Sequence, residues 1–146
     1  MRRKDIVGKN EFPPLLHLTY ILQQVSDDLL VKETGVGLSQ ARIMSVLHGS
    51  IPRSQRSTAV RLSQNESNVS RQLAVMQKQG LVSLRRNKKD GRQKDVLLSA
   101  KGKKKYQQAE KILKQQQARL LKLMSGSEVK AFERAARSLD AQHRGG

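Results

Sequence analysis

The decapeptide Arg85–Lys94, RRNKKDGRQK, carries six basic side chains and one acid, Asp90, two residues before Arg92. Cations at this density attract polyanions, and a guanidinium can meet a phosphate through two parallel hydrogen bonds. Read as an ordinary surface loop, the same run is merely solvated and the carboxylate carries no meaning. A second group of chemically capable residues lies just upstream. At about 100° per helical residue, Ser67, Arg71, Ala74 and Lys78 fall on one side of a helix, flanked by Asn68 and Val75. These side chains suit the edges of base pairs. Arg takes guanine through two hydrogen bonds, Asn takes adenine, Ser accepts several partners, and Ala touches a thymine methyl. Lys78, a turn later, suits a phosphate, and Asn65 and Ser70 complete the set. Taken alone, the helix could be an amphipathic surface helix with a solvated polar side; the basic decapeptide that follows favours the reading as an interface.

The charge balance points the same way. The 146 residues hold 29 Lys and Arg against 12 Asp and Glu, a formal net charge of +17. The excess is uneven: residues 1–73 carry ten basic and six acidic residues, residues 74–146 nineteen and six. Nucleic acid is the commonest partner of such a field. Catalysis finds little support. The three histidines, His17, His48 and His143, are isolated, and there is no cysteine, no HExxH, no Walker-type glycine loop and no carboxylate cluster. The chain is therefore expected not to be an enzyme, to hold no metal and to need no cofactor. No apolar run approaches the ~20 residues of a membrane span. The basic start, MRRKDIVGKN, lacks the apolar stretch of a secretory signal. A cytoplasmic protein without a membrane partner is expected.

The elements that must position these residues read as follows. Aromatics make up 3% of the chain, so its core must be aliphatic, and a chain rich in Gln, Lys, Arg and Ala favours helix. Leu15, Leu18, Leu22, Val25 and Leu29 form a stripe on a helix from about Pro14 to Lys32, ended by Gly35 and Gly37. Leu16, Ile21 and Leu30 lie beyond that stripe, so this helix needs a partner on more than one side. A second helix begins near Ser39, read as its N-cap, with Ile43, Val46 and Leu47 inward and Gly49 as its stop. A short helix over about Ser54 to Leu62 has Ala59, Val60 and Leu62 as its apolar side. The next helix is capped by Asn65, carries Glu66 in its first turn, buries Val69, Leu73 and Met76, and stops at Gly80. Val82 and Leu84, then Val96 and Leu98, alternate with polar residues around KDGR, a β-hairpin with the basic decapeptide at its tip. Ser99 caps a long helix to about Met124. SGSE, Ser125 to Glu128, is a capping-box pattern for a last helix with Val129, Phe132, Ala136 and Leu139 on its apolar side, and the terminal RGG should fray. The fold class expected is mainly α with a small β-hairpin wing: a winged helix-turn-helix with N- and C-terminal dimerisation helices, in a single domain over 1–146. Within it, 14–33 is the N-terminal helix, 38–99 the winged core and 100–142 the C-terminal helices.

Several of these stretches resemble the MarR-type transcriptional regulators. Val69-Ser70-Arg71 looks like the family's Val-Ser-Arg step, and Met76 to Val82 resembles its Leu-x-x-x-Gly-Leu-Val close. Asp90-Gly91-Arg92 is similar to its wing Asp-x-Arg, Leu98 to Gly102 to its Leu-Thr-x-x-Gly helix start, and LSQARIMSVL to its second helix. The resemblance spans roughly residues 15–140 in element order. Two departures stand out: the turn Ser63-Gln64-Asn65, where the family more often has Gly, an aliphatic residue and Ser or Asp, and Thr58, where Leu is usual. The resemblance implies that Arg92 enters the minor groove and that Asp90 braces the wing. A lone Arg loses up to ~2 kcal/mol of rotamer freedom on binding, and a narrow A·T-rich groove concentrates negative potential. Arg85, Arg86, Lys88 and Lys89 would then meet phosphates. Asp90-Gly91 as turn chemistry alone is the competing reading, and both can hold.

The resemblance further implies a homodimer built on the terminal helices, with Leu15, Leu18, Leu22, Leu113, Leu120, Val129, Phe132 and Leu139 as its contacts, and a pseudo-palindromic operator. It also implies a small-molecule effector, for which His17, Tyr20 and Arg42 are the candidate contacts. The leading expectation is a sequence-specific double-stranded DNA-binding regulator, a repressor. A basic architectural, nucleoid-associated protein of the same fold is the alternative.

Overall fold

The computed structural model describes residues 12–49 and 52–145. The basic N-terminal stretch considered above as a signal lies outside the described residues, as does Gly146. The chain forms two compact units, Met1–Glu110 and Lys111–Gly146.

In the first unit, α1 spans Pro14–Thr34. Pro14 occupies its first position, where the missing N–H costs nothing, and Gly35 ends it at φ 74° with its N–H on the Val31 carbonyl. Thr34 is buried, with its hydroxyl donating to the Leu30 carbonyl at 2.7 Å, and Leu30 is fully buried beside it. The stripe read from the sequence lies largely outward: Leu15, Leu18 and Val25 are about half exposed or more, while Leu22 and Leu29 are half-buried.

Helix α2, Leu38–Leu47, starts one step earlier than the expected cap at Ser39. Gly37 is the N-cap, and the orphan N–H groups find acceptors elsewhere. The Leu38 N–H donates to Asp27 of α1 at 2.8 Å and the Gly37 N–H to Gln40 at 3.4 Å. A neighbouring helix thus supplies the acceptor that a local Ser would have provided. Ile43, Met44 and Leu47 are buried on α2.

Strand β1 is only Arg53–Ser54, and α3 follows at Gln55–Leu62. Ser54 caps α3, its Oγ accepting the Ser57 N–H at 3.0 Å. The apolar side of α3 is rotated from the expected one. Val60 is 73% exposed, whereas Thr58 and Ala59 are buried. Thr58 tolerates burial because its hydroxyl donates to the Ser54 carbonyl at 2.9 Å, so no polar group is stranded. Helix α4, Glu66–Lys78, buries Val69, Leu73 and Met76 completely, at the spacing the sequence predicts.

Strands β2, Val82–Arg86, and β3, Lys94–Leu98, pair antiparallel, Val82 opposite Leu98 and Arg86 opposite Lys94. Strand β1 adds to the far side of β3, with Arg53 opposite Val96, so the sheet order is β1-β3-β2. A two-residue strand is too short to show alternation, so this third strand has no sequence signal. Leu81, Val82, Val96 and Leu98 turn inward to join Ile43, Met44, Leu73 and Met76 in an aliphatic core. Each such side chain contributes roughly 1.5–3 kcal/mol when fully buried.

Helix α5, Ala100–Leu121, is anchored at its start. Ser99 accepts the Gly102 N–H at 2.9 Å, donates its hydroxyl to the Gly80 carbonyl, and gives its own N–H to the Leu81 carbonyl at 3.0 Å. Lys101 and Lys105 place their ammonium groups on the carbonyls of Gln79, at 2.8 Å, and Thr34, at 2.7 Å, the C-terminal ends of α4 and α1.

The second unit holds the remainder of α5 and α6, Gly126–Gly145. The expected capping box is present: Ser125 accepts the Glu128 N–H at 3.2 Å and Glu128 accepts the Ser125 N–H at 2.9 Å. These bonds hold the Glu128 carboxyl below its ordinary range, so the box supports α6 at neutral pH and is lost as pH falls through that lowered value. Helical backbone continues through Gly145, where fraying was expected. Val129 is half-buried, and Phe132 and Leu139 are exposed.

A Cβ at Gly102 would collide with the Leu81 carbonyl oxygen and lie 3.2 Å from a methyl of Leu98. Gly102→Ala is therefore expected to destabilise the protein by about 1–3 kcal/mol, the range for overpacking. Urea unfolding should show a lowered midpoint at unchanged slope.

Candidate nucleic-acid interface

The turn between α3 and α4 requires a left-handed residue. Ser63 takes φ 54°, ψ 40°, with its N–H on the Val60 carbonyl and the Gln64 N–H on the Ala59 carbonyl. Gly would take this conformation without strain, whereas an L-residue costs about 1–2 kcal/mol in this region. Gln64 acts as a polar hub. Its carbonyl oxygen accepts from the amides of Asn68 and Gln72, both at 3.2 Å. Asn65 caps α4, accepting the Asn68 N–H at 2.7 Å.

The residues expected to read bases therefore divide into two groups. Ser67, Arg71, Ala74 and Lys78 are exposed on α4. Asn65 is exposed but has its side-chain oxygen in the cap; Asn68 is half-buried with its amide nitrogen on Gln64, and Ser70 is half-buried. Both asparagines hold the start of the helix.

In the wing, Arg85, Arg86, Lys88, Lys89, Asp90 and Arg92 are all exposed. Asp90 accepts the backbone N–H of Arg92 at 3.0 Å. This bond is an Asx-type turn, the chemistry of the competing reading, and it lies in the backbone beneath Arg92. Asn87 organises the rest and was not singled out in the sequence. Its oxygen accepts the N–H groups of Lys89, at 2.8 Å, and Asp90, at 3.0 Å, while its amide donates to Asp95 at 2.9 Å. The backbone pair Asn87 N–H to Gln93 carbonyl, 3.0 Å, closes the tip. An Asn three residues before Asp-Gly is a turn signal that could have found it.

Two clefts flank the wing. One is lined by Gln55 and Arg56 of α3, Glu66 of α4, and Asp90, Arg92, Gln93 and Lys94. The other is lined by Gln77, Leu84, Arg85, Arg86 and Lys94. The start of α4 and the wing tip thus share one concave surface. Of the residues considered for an effector, His17 is half-buried on α1, while Tyr20 on α1 and Arg42 on α2 are exposed. Among the described residues, no group of three or more His, Cys, Asp or Glu could hold a metal ion. No described helix is long and apolar enough to cross a membrane.

Residues 34–93, from the end of α1 through the wing tip, match the model of the MarR family. That segment is similar to the MarR family over those 60 residues. The wider chain shares its fold with solved transcriptional regulators and DNA complexes. The S. aureus MepR–DNA complex is 16% identical, with a TM-score of 0.78 over 90% of this chain and 99% of that one. CouR, a transcriptional repressor bound to a 23-mer DNA duplex, is 19% identical, with a TM-score of 0.77 over 86% and 89%. PcaV from Streptomyces coelicolor, a transcriptional regulator in complex with its natural ligand, is 20% identical, with a TM-score of 0.71 over 86% and 90%. Among curated proteins, no sequence matches the chain.

Ser63→Gly is expected to raise stability by about 0.5–1 kcal/mol, the relief of the left-handed residue less the added freedom of the unfolded chain. A thermal midpoint at or below that of the parent protein would contradict this. Asn87→Ala should leave global stability within about 1 kcal/mol yet speed amide exchange at Lys89 and Asp90, because both N–H groups lose their acceptor.

Proposed function

We propose that the chain is a sequence-specific double-stranded DNA-binding transcriptional regulator, a repressor, acting as a homodimer on a pseudo-palindromic operator. The observation that carries this reading is the cleft shared by the start of α4 and the wing, which brings two differently shaped readers to one duplex. Helix α4 enters the major groove, about 12 Å wide, with Ser67, Arg71 and Ala74 toward the bases and Lys78 toward a phosphate. Asn65, Asn68 and Ser70 set the helix start against the groove. Arg92, held from below by Asp90, enters the minor groove, and Arg85, Arg86, Lys88 and Lys89 engage phosphates. MepR and CouR, each solved in complex with DNA, are precedents for DNA binding by this fold.

Dimerisation follows from what each unit leaves uncovered. Leu15 and Leu18 of α1, and Leu120, Phe132 and Leu139 beyond residue 110, are each 40–58% exposed. Large apolar side chains in such number call for a partner surface. Leu22, Leu113 and Val129, half-buried, border these faces. Two-fold symmetry then places half-sites about one helical turn, ~34 Å, apart. A small-molecule effector belongs to the same reading, with PcaV and its natural ligand as precedent and His17, Tyr20 and Arg42 as candidate contacts.

The net charge of +17 favours a second reading, an architectural DNA-binding protein with little sequence preference. Selection of bound duplexes from a random pool separates the two. A regulator keeps a preference of ~10³ or more over random DNA at physiological salt, and its selected sites are symmetric. Sedimentation should give a dimer of the 16.4 kDa chain, and monomers footprinting single half-sites would contradict it. Arg92→Ala should weaken binding most at A·T-rich flanks, whereas Lys88→Ala weakens all sequences alike and flattens the salt dependence. Equal losses for both variants on selected and random duplexes would refute the minor-groove role.

A further inference from the structure

Between Glu33 and Asp90 the chain holds ten Lys and Arg and a single acid, Glu66. It is the first residue of α4, exposed, and it lines the cleft with Arg56, Asp90, Arg92 and Lys94. The other flank of the wing, lined by Arg85, Arg86 and Lys94 with Gln77 and Leu84, has no acid. One flank is thus purely cationic and the other is counter-charged. Asp90 has a structural duty in that cleft, accepting the Arg92 N–H. Glu66 supports the helix dipole from the first turn, but this duty does not require it to line the cleft that Arg92 also lines.

Resting on the DNA-binding reading above, we infer that Glu66 determines specificity at this interface. Its carboxylate accepts a hydrogen bond from an exocyclic amino group of the base nearest the wing, cytosine N4 before adenine N6. Where no such donor stands, it repels the duplex. The chemistry is asymmetric. A carboxylate is repelled by any phosphate within a Debye length, about 8 Å at physiological salt. In the major groove, only the amino groups of cytosine and adenine donate hydrogen bonds that can offset this repulsion. N-terminal residues of a recognition helix are the ones that reach base edges. A single acid placed here weakens binding to most sequences and spares a few. That is how a chain with so large a cationic excess can remain selective.

The test compares the full-length parent protein, Glu66→Gln and Glu66→Asp on a selected duplex and a random duplex of equal length, at two salt concentrations. Glu66→Gln should bind the random duplex about threefold to tenfold tighter, with steeper salt dependence, and the selected duplex about tenfold more weakly. Its own selected pool should lose a base preference at one position in each half-site. Glu66→Asp keeps the charge and should leave random binding weak. Unchanged thermal midpoints exclude a folding effect, and any variant that fails this check is replaced by Glu66→Ala. If Glu66→Gln shifts both duplexes by the same factor, or shifts neither, the inference is overturned while the regulator reading stands. If the parent protein selects no sequence at all, both fall.

Discussion

The first unit depends on one junction, where α4 ends, the wing begins and α5 starts. Gly80 turns the chain at φ 73°, and Leu81 then gives its carbonyl to Ser99 across the base of the hairpin. Gly102 approaches that same carbonyl so closely that no side chain fits. Ser99 ties the junction with its hydroxyl on Gly80 and its oxygen on the Gly102 N–H. The wing cannot move relative to α4 without breaking these bonds, because both strands of the hairpin leave from this point. On the proposed DNA-binding reading, helix and wing would each have to meet a groove in register with the other, which such rigidity serves.

Polar side chains perform much of the local positioning that apolar residues more often perform in a small helical core. Thr58 is fully buried and satisfied within its own helix. Gln64 gathers Asn68 and Gln72, Asn87 gathers the wing tip, and Asp27 caps a helix other than its own. Each of these bonds contributes only about 0.5–1.5 kcal/mol net. Their effect is geometric, for they set where the exposed cations stand. A net charge of +17 attracts polyanions without regard to sequence, so under the proposed reading discrimination would rest on placement and on the few acids that oppose it.

The elements legible in the sequence were those with long, regular patterns. The stripe Val69, Leu73 and Met76 and the alternation of Val82 and Leu84, then Val96 and Leu98, repeat at the periods of helix and strand, and the Ser125–Glu128 box was legible from its residue types instead. The errors came where the pattern was short. Ser39 had the chemistry of an N-cap, but Asp27, eleven positions before Leu38, supplied the acceptor. Val60 looked apolar enough to face inward, yet eight helical residues allow more than one rotation, and packing selected the face bearing Thr58 and Ala59.

By itself, the sequence determined composition and period: an aliphatic core, the order of helices and hairpin, and the gathering of positive charge around Asp90. Those properties reside in residue type and spacing, which need no partner to be read. Only the tertiary structure decided what each polar group is bonded to. It joined β1 to the sheet, turned Asp90 toward the Arg92 N–H, engaged Asn68 with Gln64, and set Glu66 and Arg92 in one cleft. Hydrogen bonds are short-ranged and directional, so their partners depend on coordinates that hydrophobic periodicity does not encode.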